Sequence, residues 1–128
     1  MLALLVVATA LAYFKPLANS FFRDPRVVAQ SAINGIGAAL ETYHHDVGRY
    51  PTTLEGLKAL YVRQASLRRP ESWLGPYLEV APPPDPWGNP YVYRTVGEGA
   101  AGGFILESYG GDGRAGGEGV NADVVLRR

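Results

Sequence analysis

Asp112, Glu118, Asn121 and Asp123 are interleaved with glycines across residues 110–123. Carboxylate and amide oxygens are hard donors, and calcium takes roughly six to eight such oxygens, carbonyls included. Glycine admits the positive-φ conformations that turn carbonyls inward. The spacing is not that of an EF-hand, and a polar surface loop is the other reading of the same residues. Gly111-Asp112-Gly113-Arg114-Ala115-Gly116 also fits G-x-G-x-x-G. A dinucleotide site needs a helix opening there, within a βαβ unit. Gly117, Gly119 and Asn121 oppose a helix, and too little chain follows.

His44-His45-Asp46 invites a metal or catalytic reading. Neighbours on a helix point about 100° apart, so the two rings do not share one ion. Histidine near a helix C-terminus is favoured by the dipole alone. No serine, histidine and acid arrangement is evident. The absence of cysteine excludes disulfides, thiolate zinc sites, a cysteine nucleophile and a lipidated N-terminal cysteine. Twelve basic residues balance twelve acidic ones, which argues against a nucleic-acid binder. Arg68 and Arg69 sit among prolines and polar residues and read as a solvated loop.

These groups must be positioned by one domain, since 128 residues do not build two cores. Val28, Ile33, Ile36, Leu40, Tyr43 and Val47 form one apolar stripe, predicting a helix from about Arg26 to Val47 capped by Gly48. Ala29, Ala32, Gly35, Gly37, Ala38 and Ala39 crowd it and allow close approach by a sheet or another helix. Thr52 and Glu55 have capping-box spacing, predicting a second short helix to about Val62. Residues 63–90 are proline-rich and loop-like. Tyr91–Val96 and Phe104–Tyr109 read as a hairpin, and Ala122–Leu126 as a short last strand. The order predicts an α+β fold: a long helix, a short helix, a loop, then a small antiparallel sheet.

Asp85-Pro86-Trp87-Gly88-Asn89-Pro90-Tyr91 is the most distinctive string, a turn feeding a strand. With Gly48–Leu57, and with Ser108–Gly113 continuing through Gly116–Gly119 to Asn121–Val124, it resembles the major pseudopilin family of type II secretion. The motifs follow the family's order, and the resemblance covers roughly residues 36–124. It implies a pilin-like fold, with a long N-terminal helix packed on a small antiparallel sheet, and a calcium-binding C-terminal loop. Carried over by position, Asp112 and Asp123 are the side-chain ligands, and Leu106 and Ser108 give carbonyls. Many relatives have two adjacent acids where this chain has Ala122-Asp123, and Asn121 is the candidate replacement.

The resemblance also implies a structural subunit rather than an enzyme. Its partners would be further copies of itself in a homopolymeric pseudopilus, minor pseudopilins, and an inner-membrane assembly platform with its ATPase. A prepilin peptidase, N-terminal methylation and an outer-membrane secretin are implied too; nucleic acid is not. The expected location is the bacterial inner membrane, single-pass, with the globular domain in the periplasm.

Met1–Phe14 is almost wholly apolar and precedes the first charge at Lys15. A run of that length is read as a signal-peptide core or as part of an anchor, and Ala8-Thr9-Ala10 and Ala10-Leu11-Ala12 fit a small-x-small cleavage site. The basic leader, glycine junction, phenylalanine and acidic residue of the family do not appear. Met1 and Pro16 have the separation of the family's internal methionine and proline, so the chain is expected to start at that methionine. Pro25 is expected to kink or interrupt the long helix. The resulting division is an anchor and filament helix over 1–25 and a globular domain over 26–128. Two other readings remain: a minor pilin of a type IV pilus or DNA-uptake system, and a secreted calcium-dependent binding module released at Ala12.

Overall fold

The computed structural model describes residues 24–128. Helix α1 (Pro25–Val47) opens where the sequence predicts. Asp24 is extended, as a residue before proline prefers, and its side chain accepts from Arg26 N–H at 3.0 Å. Pro25 therefore starts the described helix rather than bending it. Gly48 ends it in a left-handed conformation, donating its N–H to His44 O at 2.8 Å.

The buried face of α1 carries Ala29, Ile33, Ile36, Gly37, Ala39, Leu40 and Tyr43. The apolar stripe is thus right in its centre and wrong at its start. Val28 is 46% exposed, and Ala29 takes the buried position beside it.

Strands β1 (Val92–Val96), β2 (Gly103–Ser108) and β3 (Val124–Arg127) form an antiparallel sheet in the order β1-β2-β3. Tyr93 faces Leu106 across one ladder, and Leu106 faces Leu126 across the other. Phe104, Leu106 and Ser108 alternate along β2, and all three are fully buried. Phe104 and Leu106 share a core with Ile33, Leu40, Tyr43, Ala59 and Leu60. Gly37 is the close-approach point: a Cβ there would collide with the Leu126 side chain. Ala32, Gly35 and Ala38, also expected to serve close packing, are not buried.

The capping box forms, with Thr52 N–H donating to Glu55 Oε1 at 2.8 Å and Glu55 N–H to Thr52 Oγ1 at 3.1 Å. The expected helix after it is only a short 3-10 turn, Gly56–Leu60. Gly56 has φ 63°, a conformation that cannot continue a right-handed helix. The irregular segment that follows is still fastened to the core. Trp73 Nε1–H donates to Ala59 O at 2.9 Å, and Tyr77 N–H donates to Leu60 O at 2.7 Å. Tyr77 stacks edge-on against both Tyr43 and Trp73, with centroids 5.6 Å apart in each pair.

Candidate functional site

The turn at 85–91 is organised by one buried carboxylate. Asp85 is 4% exposed, and its Oδ1 accepts from Trp87 N–H at 3.1 Å and Asn89 N–H at 2.8 Å. Its other oxygen accepts from the Ser108 hydroxyl at 2.7 Å. Buried acceptors need such partners, and here they join the turn to the end of β2. Sequence reasoning read this string as a turn but did not give Asp85 that role. The four-residue spacing to Asn89 was the available signal, since a short acidic side chain reaches its own downstream amides.

Past β2, a 3-10 turn at Gly110–Asp112 lies beside a second at Gly119–Asn121. Gly110 has φ 75°, and a Cβ there would come within 2.8 Å of the Asn121 and Ala122 carbonyl oxygens. A Cβ on Gly111 would lie 2.9 Å from Asn121 Oδ1 and 3.4 Å from Trp87 Nε1. One on Gly113 would lie 3.0 Å from Asn89 Oδ1. The glycines thus let two chain segments and the 85–91 turn meet at backbone distance.

The predicted ligand residues occupy this loop unequally. Asp123 Oδ2 accepts from Gly116 N–H at 2.9 Å, while its Oδ1 is buried without a partner. Asp112 is exposed, and its Oδ1 accepts from Arg114 N–H at 3.1 Å. Asn121 points its amide oxygen toward Gly111. Phe104 and Arg128 exchange backbone bonds at 3.1 and 3.0 Å. By the alternation of an antiparallel ladder, Leu106 and Ser108 therefore also direct their carbonyls toward β3. Only their second lone pairs are left for another partner. Among the described residues, no three His, Cys, Asp or Glu side chains cluster closely enough to hold an ion.

His44 and His45 diverge. His44 Nε2 meets Ala100 O at 3.0 Å, whereas His45 is exposed and pairs with Asp46 at 3.1 Å. The Gly48–Leu57 string instead builds an ion pair invisible in the sequence. Arg49 reaches both carboxylate oxygens of Glu55, at 2.7 and 3.3 Å. Burial alone would raise the Glu55 carboxyl. The Arg49 guanidinium, the Thr52 amide and the Ser66 hydroxyl outweigh it and hold the group down at about 2. Nothing in this arrangement places a nucleophile beside a base; it stiffens the chain after α1.

A long helix on a three-stranded sheet, with a glycine-built loop tied to a proline-bounded turn, has known relatives. The sequence matches the family described as type II secretion system (T2SS), protein G, over residues 23–127. The type II secretion system core protein G of Pseudomonas aeruginosa is 42% identical over 98 residues, covering 76% of this chain and 67% of that protein. That of Xanthomonas campestris is 36% identical over 97 residues, covering 76% and 62%. That of Vibrio cholerae is 38% identical over 98 residues, covering 74% and 65%. The match thus spans about two thirds of the length of these relatives. The crystal structure of the major pseudopilin from the type 2 secretion system of enterohaemorrhagic Escherichia coli aligns with a TM-score of 0.63 and 27% identity, covering 85% of this chain and 91% of that one. The chain therefore belongs to the type II secretion system protein G family.

Proposed function

We propose that the chain is a structural subunit of a type II secretion pseudopilus, polymerising to drive folded proteins across the outer membrane. The observation that carries this reading is the family match over nearly the whole described domain, on a fold shared with a solved pseudopilin. Protein G relatives favour type II secretion over the pilus and secreted-module readings. The work done is assembly, with energy supplied by a separate motor. Copies of the chain, minor pseudopilins, the assembly platform and its ATPase, a prepilin peptidase and the secretin are the partners of this reading.

No helix among the described residues is long and apolar enough to cross a membrane. The anchor assigned to residues 1–25 lies almost wholly outside the described residues. Its support is the apolar run Met1–Phe14, in which Ala3, Ala8, Ala10 and Ala12 favour close helix packing in lipid or in a filament core. Expressed from its complete reading frame with platform and ATPase, the protein is expected to form filaments visible by electron microscopy. Leu5→Asp is expected to abolish them while leaving the domain folded, because a charge buried without a partner is costly. Filaments formed by Leu5→Asp would remove the N-terminal segment from the filament core.

We also propose that the C-terminal loop holds calcium. The unpartnered, buried Asp123 Oδ1 supports this, because a buried carboxylate oxygen without a donor suits a cation. Asp123, Asn121 and Asp112 would hold the ion, with the Leu106 and Ser108 carbonyls contributing through their free lone pairs. With few acids available, most ligands would be neutral oxygens. When bound, the ion would supply a charge-dense cross-link between the last turn and the end of β2.

A further inference from the structure

Arg26 is the second residue of α1, where the helix dipole disfavours a cation. Its guanidinium finds its partners far away in sequence. Nη1 donates to Gly119 O at 3.3 Å and to Ala122 O at 2.5 Å, and Nη2 to Asp123 O at 3.4 Å. These three carbonyls flank Asn121 and belong to the segment that carries Asp123. A planar fork with several fixed donors suits such a row of oxygens, and a lysine ammonium does not reproduce it. We propose that Arg26 is a positioning residue for the C-terminal loop, a latch that holds residues 119–123 in ligand-presenting geometry from the first turn of α1.

Two effects of the guanidinium oppose each other. It orders the loop, which favours a bound cation, and it places a positive charge nearby, which disfavours one. Ordering wins if the donors saturate carbonyls whose chain must otherwise be immobilised on binding. Residues that orient metal ligands typically contribute about 10- to 100-fold in affinity. The latch also joins the loop to the first turn of α1, two residues after Asp24, so the loop and the start of the domain are tied together.

The test uses the full chain in detergent micelles, with calcium chloride or a chelator, and Arg26→Met, which keeps length and removes charge and donors. In chelator, amides of residues 116–123 are expected to exchange about tenfold faster in the variant, with β1 and β2 unchanged. Its calcium dissociation constant is expected to rise about tenfold, and Arg26→Lys to fall between. Unchanged exchange at 116–123, or tighter calcium binding by Arg26→Met, overturns the latch. So does an exchange increase shared by β1 and β2, which would make Arg26 a general stabiliser. The affinity readout rests on the calcium reading above, and the exchange readout does not. If the wild-type chain ignores calcium while Arg26→Met loosens the loop, the calcium reading fails and the latch stands.

Discussion

Tyr43 and Asp85 are buried polar residues with opposite accounts. The Tyr43 hydroxyl is buried and unpaired, since Arg49 lies near it but outside hydrogen-bonding geometry. Burial pushes this phenol up to about 12. Removing an unpaired buried hydroxyl removes its desolvation cost, so Tyr43→Phe is expected to be neutral or stabilising by up to about 1 kcal/mol. Urea unfolding checks this, and a loss above about 1 kcal/mol would reveal a partner in solution. Asp85 has three donors, so Asp85→Ala strands Trp87 N–H, Asn89 N–H and the Ser108 hydroxyl. Its expected cost is about 2–4 kcal/mol by the same measurement. Glu55 adds a pH dependence. Its folded value of about 2 lies below the ordinary 4.5, so its contribution is present above pH 4.5 and is lost as pH falls toward 2. The contribution is about 3 kcal/mol at most. Glu55→Gln is expected to flatten stability across that window, and an unchanged acid slope would assign it to other carboxylates.

At the scale of elements, α1 and the sheet meet through small residues on one side and large ones on the other. Gly37 faces Leu126 of β3, while Ile33, Leu40 and Tyr43 meet Phe104 and Leu106 of β2 in the core. Gly37→Val adds volume where β3 has no room, so a loss of about 1–3 kcal/mol is expected. Thermal melting reads it out, and a variant as stable as wild type would mean that β3 yields freely. The same contact explains why the alanine and glycine content of α1 was only partly informative. Ala29 and Ala39 are buried, whereas Gly35 has open space where its Cβ would be. Composition marked the helix as able to approach a sheet but not which turn does so. The expected second helix breaks straight after the capping-box turn for a local reason, the positive φ of Gly56, and only a 3-10 turn follows.

For the molecule as a whole, the proposed calcium site is what a ligand titration tests. A ligand bound only by the folded state stabilises it by about 2.7 kcal/mol at a hundredfold excess over its dissociation constant. Calcium is therefore expected to raise the melting midpoint relative to chelator, and Asp123→Asn to abolish most of that shift. Identical wild-type midpoints would leave the loop as a hydrogen-bonded turn cluster alone. The helix ends, the hairpin and the capping box were legible in the sequence because each depends on residues close in the chain. Proline before Arg26, glycine after Val47, and Thr52 three residues before Glu55 act through local backbone geometry. The resemblance in the Asp85–Tyr91 and Ser108–Val124 strings was legible as well. That these two strings touch was not: Asp85 meets Ser108, Trp87 approaches Gly111, and Asn89 approaches Gly113. Nor could spacing show that Arg26 reaches Ala122 or that Arg49 grips Glu55. Such contacts are decided by how the sheet and helix close on their shared core. Alternation of side chains assigns a residue to a face, and only packing assigns that face a neighbour.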